Sequence, residues 1–363
     1  MLAGRVRFLL PLLIFAAGSV QGEVDRFDRW DVNKDGRIVM EEAPPRLRAA
    51  FKEVDTDGDG AISREELRKI APLLADSTTY DFLHDIDYVG DGLFAQRLDL
   101  LLPKEREGKK LPLIVFIHGG GWQTGVKEEG IPMLRELLVE GEYATATINY
   151  RLSEQAKWPA QILDCKAAIR FLRAKAADYG IDPDRIGVIG ISAGGHLASL
   201  LGTTPGIGAL DGTLGPFPQT DTRVQCVVNL FGPQDLLTIN EQGASDEVMT
   251  GYRRGYERLL FGDEIENVPE AARQASPVTW VTKDDAPFLT AHGTKDLLVP
   301  FAQAEEIHAA LTKVGVESCL IAIEGGGHGF TNAELSERIR LFMDKHLRGR
   351  EGEISCEPIV LGH

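Results

Sequence analysis

Short apolar runs alternate with longer amphipathic stretches from about residue 80 to residue 347. The run 113–117 is apolar at every position, which is typical of a strand buried on both faces of a sheet. Similar runs predict seven further strands, at 81–88, 96–102, 142–150, 185–190, 224–231, 287–292 and 318–324. Helical periodicity predicts helices at 127–140, 159–179, 193–201, 301–314 and 332–347. This alternation predicts an α/β fold, with an eight-stranded sheet that is mostly parallel after its first two strands and flanked by helices.

The amino-terminal residues have a different pattern. Arg5 and Arg7 precede an apolar stretch at 8–17, and small residues follow up to Gly22. This arrangement predicts a secretory signal peptide at 1–22 and a secreted or periplasmic protein. An uncleaved anchor is the alternative, but the apolar stretch is short for a membrane span.

A twelve-residue pattern then occurs twice, at 31–42 and 55–66. Both copies match the EF-hand loop, in which oxygen atoms at positions 1, 3, 5, 7 and 12 bind Ca²⁺ and position 6 is glycine. Position 7 contributes a backbone carbonyl. The predicted ligands are Asp31, Asn33, Asp35, Arg37 and Glu42 in the first loop, and Asp55, Asp57, Asp59, Ala61 and Glu66 in the second. Ile38 and Ile62, at position 8, are expected to pair the two loops.

The segment 23–75 is therefore predicted to be a small all-α EF-hand pair, followed by a connector at 76–90. A solvated acidic loop would explain one such match, but two complete matches favour calcium binding. Pro44 and Pro45 directly follow the first loop and would shorten its outgoing helix. We therefore expect calcium to be structural, while an activity switch and a docking element for a partner remain alternatives.

Charge and cysteine content narrow the possible functions. The chain has 363 residues, with 39 Lys and Arg against 55 Asp and Glu, for a net charge of −16. This acidic balance argues against nonspecific binding to nucleic acid or anionic lipid. Four cysteines are too few for a disulfide scaffold. Cys165 and Cys226 lie in apolar runs, whereas Cys319 and Cys356 could pair and hold the polar tail at 348–363, which is otherwise expected to be poorly ordered.

The sequence Gly-Ile-Ser-Ala-Gly at 190–194 lies between a predicted strand and a predicted helix. This is the setting of a nucleophile elbow, where a sharp turn lifts a serine hydroxyl above the sheet. Ser192 is the candidate nucleophile. Upstream, His-Gly-Gly-Gly-Trp at 118–122 follows a buried strand, so the N–H groups of Gly120 and Gly121 could join that of Ala193 in an oxyanion hole.

A serine nucleophile needs a base and an acid that orients the base. His328 lies in a glycine-rich loop directly after a strand and is the best candidate base. Asp296 follows the preceding strand and is the favoured acid. Asp235 is the rival acid, and His292, close to Asp296 in the chain, is the histidine least safely excluded. The order Ser192, Asp296, His328 is that of the α/β-hydrolases.

With these motifs, the segment from about 80 to 347 resembles an α/β-hydrolase esterase of the BD-FAE-like group, relatives of feruloyl and acetyl-xylan esterases. It is similar, more distantly, to the hormone-sensitive-lipase group, whose members carry an acid where this chain has Ile191. Further matching pieces lie at 96–100, 149–152, 158–161 with Asp164, 292–296 and 326–330. The EF-hand pair lies outside the resemblance.

The resemblance implies a catalytic domain at 91–347 that hydrolyses carboxylic esters without a catalytic cofactor, on short-acyl or feruloyl and acetyl esters of polysaccharide. The segment 236–275 interrupts the core pattern and carries Tyr252 and Tyr256, so we expect a cap over the acyl pocket; a packed insertion without ligand contacts is the alternative. A serine peptidase of the same fold and a calcium-dependent docking protein are the alternative functions. No nucleic-acid partner and no membrane span after signal removal are expected. The oligomeric state does not follow from the sequence.

Overall fold

The computed structural model describes residues 30–43, 51, 55, 57–64, 66, 80–104, 108–138, 142–242 and 247–361. The predicted signal peptide and residues 44–50, which include Pro44 and Pro45, lie outside these residues. The chain divides into two compact units at Phe82 and Leu83. Within the described part of the chain, no helix combines the length and the apolar character that crossing a bilayer requires.

The amino-terminal unit contains a two-stranded antiparallel sheet. Strand β1 is Arg37–Val39 and strand β2 is Ala61–Ser63, with Ile38 opposite Ile62. Both isoleucines are fully buried, which explains why each loop carries an apolar residue at that position. The predicted pairing of the two loops is confirmed.

The large unit is built on a nine-stranded sheet with the order β11-β10-β9-β8-β7-β5-β6-β4-β3. Its strands are β3 Tyr80–Asp87, β4 Arg97–Pro103, β5 Leu111–Ile117, β6 Ala144–Ile148, β7 Ile181–Ile191, β8 Cys226–Leu230, β9 Phe288–Gly293, β10 Ser318–Glu324 and β11 Ile359–Val360. Every residue of β5, β6 and β8 is buried, as expected for strands covered on both faces. Strand β4 pairs antiparallel with β6, and the pairs from β6 through to β11 are parallel.

The described α-helices of the large unit connect and cover these strands. They are α1 Ile131–Leu138, α2 Ala160–Ala174, α3 Ala176–Tyr179, α4 Ala193–Thr203, α5 Gly208–Asp211, α6 Ile239–Gln242, α7 Glu247–Phe261, α8 Pro269–Ala275, α9 Ala302–Val314 and α10 Ala333–Arg348. Because neighbouring strands are parallel, the loops that follow β5, β7, β8, β9 and β10 all lie at one edge of the sheet.

The carboxyl-terminal tail corrects the expected strand count. The segment predicted to be poorly ordered forms β11, which pairs with the edge of β10 and makes a ninth strand. A disulfide bond joins Cys319 in β10 to Cys356, and the Arg338 guanidinium donates hydrogen bonds to the carbonyls of Ser355 and Glu357. These contacts hold β11 at the sheet edge. The sequence did not predict this strand, because two residues are too few to show an alternating pattern.

The amino-terminal edge of the sheet also differs from the expected domain boundary. Strand β3, which was predicted at 81–88, belongs to the nine-stranded sheet, although the sequence assigned the segment 76–90 to a connector. Its pattern of half-buried and exposed residues is that of an edge strand. The large unit therefore includes residues that precede the expected start at residue 91.

Candidate active site

Ser192 stands in a sharp turn between β7 and α4. Its backbone has a φ of 52° and a ψ of −122°, a conformation that residues other than glycine rarely adopt. A Cβ atom on Gly190 would lie 2.0 Å from the Gly194 carbonyl oxygen, and one on Gly194 would lie 2.1 Å from the Ile117 carbonyl oxygen. Only glycine fits at these two positions, so the glycine pattern is needed to bring the serine against the end of β5.

The structure brings together the three side chains proposed as nucleophile, base and acid. Nε2 of His328 lies 2.9 Å from Oγ of Ser192, and Nδ1 of His328 lies 2.7 Å from Oδ2 of Asp296. All three come from loops at the carboxyl ends of parallel strands. Ser192 and Asp296 are buried, at 8% and 6% exposure. The arrangement can pass the serine proton to His328 while Asp296 orients the imidazole.

Four groups contact the carboxylate of Asp296. Oδ1 accepts hydrogen bonds of 2.9 Å from the N–H groups of Leu298 and Val299. Oδ2 accepts the bond from His328 and also lies 3.2 Å from Nε2 of His292. Burial alone would raise the pKa of Asp296, but the hydrogen bonds from His292 and His328 outweigh burial and lower the pKa to about 2. Asp296 is therefore ionised across the neutral range.

The residues that competed for these roles have other partners. Asp235 accepts hydrogen bonds from the N–H of Leu237 at 2.9 Å and from the hydroxyl of Ser276 at 3.4 Å, so it fixes the start of the insertion. His292 is fully buried, and its Nε2 also lies 2.8 Å from the Val299 carbonyl. His292 is thus a second neighbour of the acid rather than the group at Ser192.

Three backbone donors stand unpaired near the nucleophile. The N–H groups of Gly120, Gly121 and Ala193 donate to no acceptor among the described residues. Ala193 is buried and Gly120 and Gly121 are half-buried, so the three N–H groups are able to donate to an oxygen placed beside Ser192. These are the three groups that the sequence proposed for an oxyanion hole.

The glycine-rich loop is held from behind by Tyr150. The tyrosine hydroxyl donates to the carbonyls of His118 and Gly119, at 3.1 and 3.3 Å, and its ring stacks on the His118 ring at 4.3 Å. These bonds turn the two carbonyls toward the core. His118 therefore shapes the loop.

The insertion reaches the same loop through helix α7. A Cβ atom on Gly121 would lie 2.6 Å from the Tyr256 ring, which shows how closely that ring covers the loop. Arg253, in the same helix, donates a hydrogen bond of 2.8 Å to the carbonyl of Leu297, which directly follows Asp296. Helix α7 thus contacts both the glycine-rich loop and the loop of the acid.

Sequence reasoning missed two aromatic contacts at the site. Phe231, after β8, has a φ of 46°, and its ring meets the His328 ring edge to face at 4.9 Å. Trp122 is buried at 4% exposure and donates a hydrogen bond from Nε1 to Nδ1 of His196. The contact between Trp122 and His196 does not follow from the sequence, because residues 74 positions apart show no periodic relation.

The first predicted calcium loop closes on its own acidic side chains. Asp31 accepts hydrogen bonds from the N–H groups of Asp35 and Gly36, at 3.1 and 2.8 Å. Glu42, at position 12, accepts from the N–H groups of Asn33 and Val39, both at 3.1 Å. The Glu42 carboxylate is thereby bound near the start of the loop, at Asn33.

The second loop has the same arrangement. Asp55, Asp57 and Asp59 place carboxylate oxygens within 4.8 Å of one another. Glu66 accepts hydrogen bonds from the N–H groups of Asp57 and Ser63, at 3.2 and 2.9 Å. Arg37 and Ala61, the expected carbonyl ligands, are the first residues of β1 and β2. A cluster of hard oxygen donors of this kind fits Ca²⁺.

Comparisons with known families agree with both units. A family model described as BD-FAE matches residues 98–311, and a model described as EF hand matches residues 47–71. Esterase LipC of Mycobacterium tuberculosis is 32% identical over 265 residues, which are 70% of this chain and 64% of LipC. Esterase LipQ of the same organism is 34% identical over 68% of this chain and 56% of LipQ. The chain thus spans less than two thirds of these relatives.

Solved structures show the same architecture. A truncated carbohydrate esterase from gut microbiota has 31% identity and a TM-score of 0.66, covering 76% of this chain and 99% of that one. An acetyl ester-xyloside bifunctional hydrolase from Caldicellulosiruptor lactoaceticus has 28% identity and a TM-score of 0.58, covering 69% of this chain and 88% of that one. The predicted α/β-hydrolase fold is confirmed.

Proposed function

The chain belongs to the BD-FAE family, and from this premise we propose that it is a serine carboxylesterase. The observation that carries the proposal is the pair of short contacts from His328, to Ser192 at 2.9 Å and to Asp296 at 2.7 Å. The N–H groups of Gly120, Gly121 and Ala193, which have no acceptor in the part of the chain that the structure describes, complete the arrangement. Nucleophile, base, acid and oxyanion donors therefore meet at one edge of the sheet, as acyl transfer requires.

The reaction follows from these positions. His328 Nε2 takes the proton of the Ser192 hydroxyl as Oγ bonds to the ester carbonyl carbon. The negative charge that develops on the carbonyl oxygen is stabilised by the N–H groups of Gly120, Gly121 and Ala193. His328 then gives its proton to the leaving alcohol, and an acyl-serine remains. A water molecule, deprotonated by His328, attacks this ester, and the released acid leaves Ser192 protonated again.

We propose short-acyl or feruloyl and acetyl esters carried on polysaccharide as substrates. The support is the kind of protein that the fold resembles, since two of the similar structures are named as a carbohydrate esterase and an acetyl ester-xyloside hydrolase. The Tyr256 ring, which lies on Gly121, would form one wall of the acyl site. Segment 236–275 would then act as the cap.

The amino-terminal loops are proposed to bind two structural calcium ions. Asp31, Asn33, Asp35 and Glu42 would hold one ion, and Asp55, Asp57, Asp59 and Glu66 the other, each joined by a backbone carbonyl, from Arg37 or Ala61. Bound Ca²⁺ would neutralise the clustered carboxylates and so stabilise the paired loops. The ester chemistry above uses none of these residues.

A secreted or periplasmic location is also proposed. The basic and apolar pattern of residues 1–22 supports it, and so does the bond between Cys319 and Cys356, because disulfides persist mainly in oxidising compartments.

Turnover of p-nitrophenyl acetate by the purified protein and by the Ser192→Ala variant tests the ester chemistry. We expect turnover by the wild type and its loss in the variant, at unchanged melting temperature. Unchanged turnover in Ser192→Ala would reject Ser192 as the nucleophile. Assays on acetylated xylan, methyl ferulate and p-nitrophenyl octanoate test the substrate class: release from xylan or ferulate supports it, and turnover of synthetic esters alone contradicts it.

A further inference from the structure

One histidine outside the proposed catalytic residues connects helix α4, which follows Ser192, to the glycine-rich loop at 118–122. His196 lies in α4, four residues after Ser192, and its backbone N–H donates to the Ser192 carbonyl at 3.0 Å. Its ring meets the Trp122 ring edge to face, with 5.2 Å between centroids, and accepts a 3.2 Å hydrogen bond from the indole N–H. Trp122 directly follows Gly121. The imidazole thus links the nucleophile helix to the glycine-rich loop.

The chemistry of the neighbours defines which ring nitrogen of His196 carries the proton. An indole N–H only donates, so Nδ1 must be the unprotonated nitrogen. The Ala275 carbonyl only accepts, and it lies 2.6 Å from Nε2, so Nε2 carries the proton. Burial lowers the pKa of His196 to about 4, which keeps the ring neutral near pH 7. Both nitrogens are therefore used, each with one partner.

Trp122 is held in a conformation that it would not adopt freely. Its φ is 59°, a region that bulky residues rarely occupy and that surrounding contacts must maintain. The Trp122 carbonyl accepts a 2.7 Å hydrogen bond from the N–H of Ser153, and its side chain is bound by His196. Anchors on the main chain and on the side chain thus fix the residue next to Gly121.

We propose that His196 is a positioning residue for the oxyanion hole. By binding the Trp122 indole, it holds the N–H groups of Gly120 and Gly121 in register with that of Ala193. The inference rests on the proposed esterase function. Because Nε2 of His196 donates to Ala275, the last residue of α8, the same imidazole also ties the end of the insertion to this loop.

The test compares four variants and one control variant with the wild type. Trp122→Phe removes the indole donor and keeps an aromatic ring, His196→Phe removes the acceptor, and the double variant removes both. His196→Gln offers an amide oxygen to Trp122 and an amide N–H to Ala275, so it should restore part of the function. Trp158→Phe is the matched control, because Trp158 also lies near His196 but donates its N–H to Gln274.

The readouts are kcat per titrated serine, KM, and the affinity for a trifluoromethyl ketone, which forms a tetrahedral adduct with an oxyanion. We expect Trp122→Phe and His196→Phe each to lower kcat about tenfold with KM within twofold, since one misplaced oxyanion donor weakens transition-state binding. Ketone affinity should fall in the same proportion as kcat. The double variant should be no slower than the single ones, and the control should match the wild type.

Two results would overturn the proposal. If the losses in kcat multiply in the double variant, the two residues act separately. If the melting temperature falls while kcat per titrated serine stays constant, His196 only packs the core. An inactive wild type would instead defeat the proposed esterase function, so the two failures are distinguishable.

Discussion

At the residue scale, two histidines share one oxygen of the proposed acid: Oδ2 of Asp296 lies 2.7 Å from Nδ1 of His328 and 3.2 Å from Nε2 of His292. The order of Ser192, Asp296 and His328 along parallel strands was enough to expect them at one edge of the sheet, where the structure brings them together. The second contact on Asp296, from His292, was not predicted. His292 lies on β9 and was considered only as a rival base, because spacing along a chain does not show which way a ring points.

The same substitution, Asp to Asn, made separately at each of the two candidate acids distinguishes their roles. Asp296→Asn should lower kcat on p-nitrophenyl acetate by about 10³- to 10⁴-fold, because an amide cannot hold His328 in the required tautomer. Asp235→Asn is the matched control and should keep kcat within about threefold, since Asp235 binds Leu237 and Ser276. Steady-state kinetics on both variants gives the answer, and the reverse ranking would move the acid to Asp235.

At the element scale, seven of the eight predicted strands agree with the structure to within two residues at each end, and β7 is the exception. The predicted run 318–324 coincides with β10, whereas β7 begins at Ile181, four residues before the predicted start. Its first residues include Asp182, Pro183 and Asp184, which resemble a turn in sequence. Strand β11 has two residues, too few for any periodicity, and it depends on pairing with β10.

Helix α7 carries a buried carboxylate that gives an element-scale prediction. Burial raises the pKa of Glu257 to about 7, against the opposing effects of the Asn240 hydrogen bond and the Arg253 charge. The pKa of Glu257 is higher in the folded protein than in the unfolded chain, so the protonated carboxyl favours folding. This contribution to stability is complete below the pKa of the unfolded chain and is lost as the pH rises through 7. The loss is at most about 3 kcal/mol.

Replacing Glu257 with Gln should remove this pH dependence. The melting temperature of Glu257→Gln relative to the wild type should increase between pH 5 and pH 8, because glutamine does not titrate. Glu247→Gln removes the same charge from an exposed position on α7 and should show no such trend. Thermal unfolding at four pH values checks both variants, and parallel curves for wild type and Glu257→Gln would contradict the expectation.

At the scale of the whole molecule, the chain consists of two units, and a different kind of sequence pattern predicts each of them. The EF-hand loops were predicted from a repeat of fixed positions, and their pairing through Ile38 and Ile62 is observed. The large unit was predicted from alternating strands and helices together with the elbow motif. The expected boundary near residue 91 differs from the structure because the strand predicted at 81–88 was placed in the connector, whereas it is the edge strand β3 of the large sheet.

Calcium removal tests the structural role of the amino-terminal loops. EDTA should lower the melting temperature, because the carboxylates of Asp55, Asp57 and Asp59 would repel one another without an ion. Initial turnover of p-nitrophenyl acetate at room temperature should stay within about twofold. Glu66→Gln should weaken the calcium-dependent shift, while Glu353→Gln, an exposed charge in the tail, should not. Complete and reversible loss of turnover in EDTA would instead identify a switch.

The central claim is that Ser192 is the nucleophile of an ester hydrolase. A fluorophosphonate probe reacts with activated serine hydroxyls, and peptide mass spectrometry locates the adduct. The account predicts one phosphonyl group per chain, on Ser192, with turnover lost in proportion to labelling and no adduct in Ser192→Ala. An adduct on another residue, or full turnover in stoichiometrically labelled protein, would contradict the account.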